Sequence, residues 1–191
     1  MLEPELLLEA YRRGMFPMAV NTRGDIGWFS PDPRAIIPLD DRFHVPHGLR
    51  RALKQKKFAI TFDTDFESVI SECAKRREGT WISREIIESY GELHRLWQAH
   101  SVEARLDGKL VGGLYGVHVG AAFFGESMFH RVPDASKVAL VALVERLRGS
   151  GFVLLDTQWQ TPHLRQFGTY EISKREYLWH LQKAVAMGCN F

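Results

Sequence analysis

The chain reads as an α+β protein, a mixed sheet with helices packed on it. Three observations predict this class. Ser101–Leu106 and Lys109–Val117 are alternating runs on either side of Asp107-Gly108, a strong hairpin signal. Phe152–Leu155 is short and wholly apolar, as a buried central strand must be. Amphipathic helical segments fall between the strand-like runs, and strands joined through helices form a sheet layered with helices.

The elements follow in order. Pro4 suits a first helical turn, Leu7, Leu8 and Tyr11 repeat at helical spacing, and Gly14 suits the stop. Residues 16–40 carry Pro17, Gly24, Gly27, Pro31, Pro33 and Pro38, so short strands at most are expected, with Trp28 and Phe29 as anchors. Residues 47–57 predict a helix, and Phe58–Phe62 alternates as a strand. Phe66, Val69, Ile70 and Cys73 mark a helix face. Ser83 caps another helix, with Ile86, Ile87, Tyr90, Leu93 and Trp97 on its inner face. After the hairpin, Ala121–Phe129 reads as a strand. Asp134 or Ser136 is expected to cap a helix with Leu140, Leu143, Val144 and Leu147 inward, stopped by Gly149 and Gly151. A short helix, a strand near Thr169–Ile172 and a helix over residues 175–186 complete the chain. A boundary near residues 78–100 is expected, though no flexible linker marks it.

At 191 residues the chain can bury a core without disulfides or metal. Its composition excludes wholesale disorder, and no apolar run approaches the ~18–20 residues that span a bilayer. The start is acidic at Glu3 and Glu5, with no basic segment leading into an apolar one, so no signal peptide is expected. Cys73 and Cys189 are far apart and outside any Cys-x-x-Cys, which points to reduced thiols and a cytoplasmic setting. The net charge of +2 conceals segregation. Arg42, Arg50, Arg51, Lys54, Lys56 and Lys57 fall in an acid-free stretch, and Lys75, Arg76, Arg77 and Arg84 form a second basic cluster. Such runs suit either a solvated surface or an anion-binding face.

Three constellations could carry chemistry. In Leu154-Leu155-Asp156-Thr157-Gln158 an apolar strand delivers an acid and, two residues on, an amide. Strand alternation puts both on one face, where the acid can stabilise an ammonium and the amide oxygen accept its N–H. The plainer alternative is a satisfied polar pair at a strand end. Glu126 lies in the aromatic run Phe123–Phe129; burying it unpaired would cost several kcal/mol, so it needs a partner, such as Arg131, or a task. Gly112, Gly113 and Gly116 in one strand suit close approach by a ligand or another chain. His44 and His47 lack metal-ligand spacing, and no Gly-x-Ser-x-Gly elbow is present.

The ordered set of motifs resembles the leucyl/phenylalanyl-tRNA–protein transferase family. It comprises Ala10–Pro17, Trp28–Arg34, Gly79–Ile82, Leu93-His94, Ala99–Glu103, Val111–Val117, Phe123–Phe129, Ala135–Lys137, Leu155–Gln158 and His163-Leu164. The resemblance implies an aminoacyltransferase that moves leucine or phenylalanine from aminoacyl-tRNA to the N-terminal Arg or Lys of a protein, marking it for N-degron degradation. It implies a small N-terminal domain with a basic tRNA-binding face, residues 1–80, before an N-acetyltransferase-like catalytic domain, residues 81–191, with a mixed sheet flanked by helices, a monomer, and no metal or other cofactor.

Residue by residue, the resemblance makes Asp156 and Gln158 the pair that orients the acceptor amine and helps remove its proton. Glu126, Phe123, Ser127, Met128, Leu114 and Leu143 take positions in the amino-acid pocket. Trp81 helps hold the donor's 3′ adenosine. Arg50, Arg51, Lys54 and Lys57 fall at basic positions used for the tRNA backbone. Met18 stands where many members carry Trp, and the chain is expected to be a compact form without the N-terminal extension of many members. Two other classes remain open on the residues alone. An acyl-CoA-dependent N-acyltransferase shares the fold class, but no Arg/Gln-x-x-Gly-x-Gly/Ala loop precedes the expected 134–149 helix. A non-catalytic RNA-binding module would leave Glu126, Asp156 and Gln158 idle.

Overall fold

The computed structural model describes residues 1–76 and 79–191; Arg77, of the second basic cluster, lies outside the described residues. The helices are α1 (Pro4–Arg12), α2 (His47–Lys54), α3 (Phe66–Ala74), α4 (Arg84–Arg95), α5 (Ala135–Gly149), α6 (Pro162–Arg165) and α7 (Lys174–Val185). The strands are β1 (Phe16–Ala19), β2 (Ile26–Phe29), β3 (Arg34–Ile37), β4 (Ala59–Phe62), β5 (Ala99–Leu106), β6 (Lys109–Val119), β7 (Ala122–His130), β8 (Leu154–Gln158) and β9 (Tyr170–Ile172). β1 and β2 form a two-stranded ribbon; the other seven make one sheet in the order β4-β5-β6-β7-β8-β3-β9. The sheet is mixed: β7 and β8 are parallel, and its other pairs are antiparallel. It takes β3 and β4 from residues 1–80 and its remaining strands from 81–191.

Each sheet face covers a core. Tyr11, Val69, Tyr90, Tyr115, Phe124 and Tyr177 belong to one buried cluster, beneath α1, α3, α4 and α7. Leu114, Phe123, Leu140, Leu143, Leu147 and Leu155 belong to the other, beneath α5. The hairpin forms as its turn chemistry requires, since Asp107 and Gly108 both take positive φ (50° and 76°) between the paired residues Leu106 and Lys109. Among the described residues, no helix is long and apolar enough to cross a membrane.

The parallel pair that closes the sheet is short. β8 runs beside β7 only where Ala122–Phe124 face Leu154–Asp156. β7 then continues to His130, with a register shift opposite Tyr115/Gly116, while β8 ends at Gln158. The two strands therefore part in the middle of the sheet, and side chains from both faces meet in the gap.

Several local expectations are corrected. α4 ends at Arg95, and Trp97 has φ +58° and is 68% exposed, so it leaves the inner face where helical spacing had put it. α5 has no side-chain cap: Asp134 adopts φ +73°, which turns its carboxylate toward Lys137 Nζ (3.3 Å) rather than onto the helix N–H groups, and Ser136 lies inside the helix. The strand glycines admit close neighbours from this chain, not a ligand. A Cβ at Gly112 would lie 2.5 Å from the Cβ of Ala135, and one at Gly116 would overlap the Phe124 carbonyl and the Phe123 ring. Cys73 is buried among apolar groups, and burial pushes its thiol up to about 12, consistent with a packing role.

Candidate active site

The gap between β7 and β8 holds a cavity of about 530 Å³. Its position follows from local sequence. β8 is apolar through Leu155, which buries it, and then turns polar at Asp156, Thr157 and Gln158 as it reaches the gap. Gln158 has φ +61°, a left-handed conformation that costs a non-glycine residue on the order of 1–3 kcal/mol and persists only where its surroundings enforce it. The enforcement comes from Asp156, whose Oδ1 accepts the Gln158 backbone N–H at 2.9 Å.

Simple alternation would put Asp156 and Gln158 side by side in one opening. The left-handed turn separates the two: Gln158 lines the cavity, and Asp156 sits behind it, fully buried. Asp156 is not free to meet a cationic acceptor. Arg34 Nη2 donates to its Oδ2 at 2.6 Å and Nε to its Oδ1 at 3.0 Å, and the Tyr177 hydroxyl donates to Oδ2 at 2.8 Å. Arg34 is itself 0% exposed, donates to the Gly14 carbonyl at 3.0 Å, and lies with its guanidinium carbon 4.5 Å from the Tyr177 ring centroid and 5.0 Å from that of Phe16. Such a pair is stable because each charge satisfies the other with good geometry.

Glu126 opens onto the same cavity from β7. Arg131, the expected alternative partner, is bonded instead to Glu72 (Nε to Oε2, 3.0 Å). Glu126 is held by hydroxyls and an amide: Tyr11 donates to Oε1 at 2.8 Å, Gln158 Nε2 donates to Oε1 at 3.3 Å, and the Tyr90 hydroxyl lies 3.5 Å from Oε2. The Tyr11 and Tyr90 hydroxyls are also in contact with each other. Burial raises the Glu126 carboxyl from 4.5 to about 8; the Tyr11 hydrogen bond opposes the rise and the nearby Asp156 charge adds to it. Glu126 and Asp156 are thus two carboxyls in different settings, one raised by burial and held by hydroxyls and an amide, the other fixed in an ion pair.

Of the residues the sequence put in a substrate pocket, Trp81, Leu114, Glu126, Ser127, Met128 and Leu143 line this cavity. Phe123 does not; it lies wholly buried beneath, stacked 5.4 Å from Phe191. Leu140, Leu155 and Leu164 extend the apolar wall, and Trp159, His163 and Met18 also line the cavity. Arg34, Tyr90 and Tyr177 had no role from sequence. Arg34 and Tyr11 do stand within matched motifs, and an arginine directly opening a wholly apolar strand (Arg34-Ala35-Ile36-Ile37) was the available signal for a buried charge pair.

The basic residues stand elsewhere. Arg50, Arg51, Lys54 and Lys57 are all exposed on or just after α2, where Leu49 faces the core. α5 separates this helix from the cavity. Ser136, Leu140 and Leu143 of α5 line the cavity, while its Val138, Val141 and Ala142 line a groove with Ala52 and Leu53 of α2.

Comparison with known proteins agrees along the whole chain. Residues 36–182 match the family model described as leucyl/phenylalanyl-tRNA protein transferase, and residues 1–32 match the model of that family's N-terminal domain. A leucyl/phenylalanyl-tRNA–protein transferase of Akkermansia muciniphila is 56% identical over 186 residues, covering 96% of each chain. That of Herpetosiphon aurantiacus is 55% identical over 190 residues, covering 100% of this chain and 98% of the relative. Among solved structures, a ribosomal-protein-alanine N-acetyltransferase from Brucella melitensis aligns at 15% identity with a TM-score of 0.41, covering 56% of this chain and 83% of its own. On the strength of the two family models and relatives identical at more than half of all positions, the chain belongs to the leucyl/phenylalanyl-tRNA–protein transferase family.

Proposed function

We propose that this chain transfers leucine or phenylalanine from an aminoacyl-tRNA to the α-amine of a protein whose N-terminal residue is Arg or Lys. The observation that carries the reading is the cavity between β7 and β8, which joins an apolar wall to the Gln158–Glu126 pair. The apolar wall of Leu114, Met128, Leu140, Leu143 and Leu155 takes the donor side chain, and a β-branched side chain would misplace methyl groups worth ~1–3 kcal/mol each. Trp81 takes the adenine of the donor's 3′ end.

An aminoacyl ester is already activated, so the task is mainly positioning and deprotonation of an amine whose free pKa is ~8. Gln158 donates through Nε2 to Glu126, which leaves its Oε1 to accept an N–H of the acceptor amine. The amine nitrogen attacks the ester carbonyl, the N–C bond forms as the C–O bond to the ribose breaks, and the amine proton ends on the departing ribose oxygen. Asp156 holds Gln158 in place and does not take the proton, because Arg34 and Tyr177 occupy its oxygens. The chain acts as a monomer in this reading, and the reaction belongs in the cytoplasm, where charged tRNA is made. The product then enters N-degron degradation.

The test is transfer of labelled leucine from charged tRNA to an Arg-N-terminal peptide, with an Ala-N-terminal peptide beside it. Leucylation of the first alone supports the reading, and absence of transfer to either overturns it. The tRNA body is assigned to the exposed face of α2. Reversing charge in Arg51→Glu with Lys54→Glu should weaken tRNA binding and make log Kd against log salt shallower, because fewer counterions are released. An unchanged slope would place the tRNA on another face.

A further inference from the structure

Trp159 stands one residue beyond Gln158, and both line the cavity. β8 ends at Gln158, and the Trp159 backbone N–H donates to the Thr157 carbonyl at 2.7 Å, closing a tight turn around the left-handed Gln158. That turn brings two successive side chains to one cavity, where strand alternation would have sent them to opposite faces. The indole packs perpendicular to Phe16, with ring centroids 5.3 Å apart and planes at 87°. Phe16 is itself buried, with the Arg34 guanidinium carbon 5.0 Å from its ring centroid. Trp159 is nevertheless 44% exposed. A large aromatic ring fixed by packing yet open beside a cavity offers a surface to whatever enters.

The charges around the cavity narrow what that surface takes. The proposed acceptor brings a cationic side chain, Arg or Lys, beside its α-amine. Among the described residues that line the cavity, Glu126 is the one carboxylate. Its oxygens already accept from Tyr11 and Gln158 and lie against the Tyr90 hydroxyl. Asp156 is committed to Arg34. The acceptor's cation therefore meets an aromatic face more readily than an unused carboxylate. Indole is the side chain that best attracts a cation over its ring. The chain makes this contact itself at Trp179, where Lys183 Nζ stands 3.3 Å from the ring centroid. Among the described residues no cation of the chain lies over Trp159. Resting on the proposed transferase reading, we propose that Trp159 sets acceptor specificity: its indole face takes the Arg or Lys side chain of the acceptor's first residue while Gln158 accepts an N–H of that residue's α-amine. The two contacts come from adjacent residues, as the amine and side chain of a single amino acid require.

The test measures kcat/KM for leucyl transfer to a peptide beginning with Arg and to one beginning with citrulline, its uncharged near-isostere. The wild-type protein should favour the Arg peptide by about 5- to 10-fold, the range expected of a partly exposed cation–π contact. In Trp159→Leu the ratio should fall to within about twofold. Trp159→Phe keeps an aromatic ring beside Phe16 but attracts cations less, so its ratio should lie between the two. Each ratio is taken within one protein, so a general loss of folded enzyme cancels. The KM for leucyl-tRNA should stay within about twofold of the wild type in both variants. An undiminished ratio in either variant overturns the assignment. So does a raised KM for leucyl-tRNA with the ratio intact, which would give the indole to the donor, and so does a wild-type protein that does not distinguish the two peptides. Absence of transfer to either peptide by the wild type would instead count against the transferase reading itself.

Discussion

Asp156→Ala is expected to lower kcat for leucyl transfer by at least ~10²-fold and to destabilise the fold at the same time. The two losses have one origin. The substitution removes the acceptor that fixes the Gln158 N–H, so the left-handed turn that brings the carboxamide into the cavity loses its support. It also strands the Arg34 guanidinium, which is fully buried, without its counter-charge; breaking a buried pair from one side costs about 3–5 kcal/mol. Asp156→Asn separates the contributions, since an amide oxygen can still accept the Gln158 N–H while the charge is gone. Steady-state kinetics with an Arg-N-terminal peptide, and denaturant midpoints for both variants, provide the check. Near-normal turnover by a folded Asp156→Ala protein would remove the residue from the mechanism.

Glu126→Gln is expected to change how stability depends on pH. Burial raises this carboxyl from 4.5 to about 8, so between those values the folded protein holds a proton that the unfolded chain has released. Stability from this group is therefore full at low pH and declines as pH rises through the window, levelling off above about 8. A tenfold change in proton affinity is worth about 1.4 kcal/mol, which makes the decline on the order of several kcal/mol by pH 9. Glutamine carries no such proton. The variant should gain on the wild type steadily from pH 5 to about pH 8 and level off above it in thermal or denaturant melts, even though its activity falls. A difference that stays constant with pH would mean that the glutamate is not held as a raised acid.

Much of the scaffold was legible because it is local. The Asp107-Gly108 hairpin, the apolar Phe152–Leu155 run and the helix face of Phe66, Val69, Ile70 and Cys73 each announce themselves within a dozen residues. So does the contrast of Asp156 and Gln158 with the apolar strand that bears them. What failed to show depends on distance or on single torsions. Tyr11 and Tyr90 read as apolar members of helix faces, and only the fold brings their hydroxyls to Glu126. The partner of Arg34 lies 122 residues away, a separation to which no periodicity speaks. The exposure of Trp97 and the turn at Gln158 each hinge on one positive φ that the neighbouring residues do not signal.

The three-way clasp of Arg34, Asp156 and Tyr177 also governs when the site comes into being. Synthesis proceeds from the N-terminus, so Arg34 emerges long before its carboxylate, and Tyr177 follows 21 residues after that carboxylate. No piece of the chain that ends before Tyr177 contains all three. A nascent chain that stops before α7 therefore has Arg34 and Asp156 but not the Tyr177 hydroxyl that completes the clasp. Completion of the clasp therefore waits on α7, the last helix of the chain to be made.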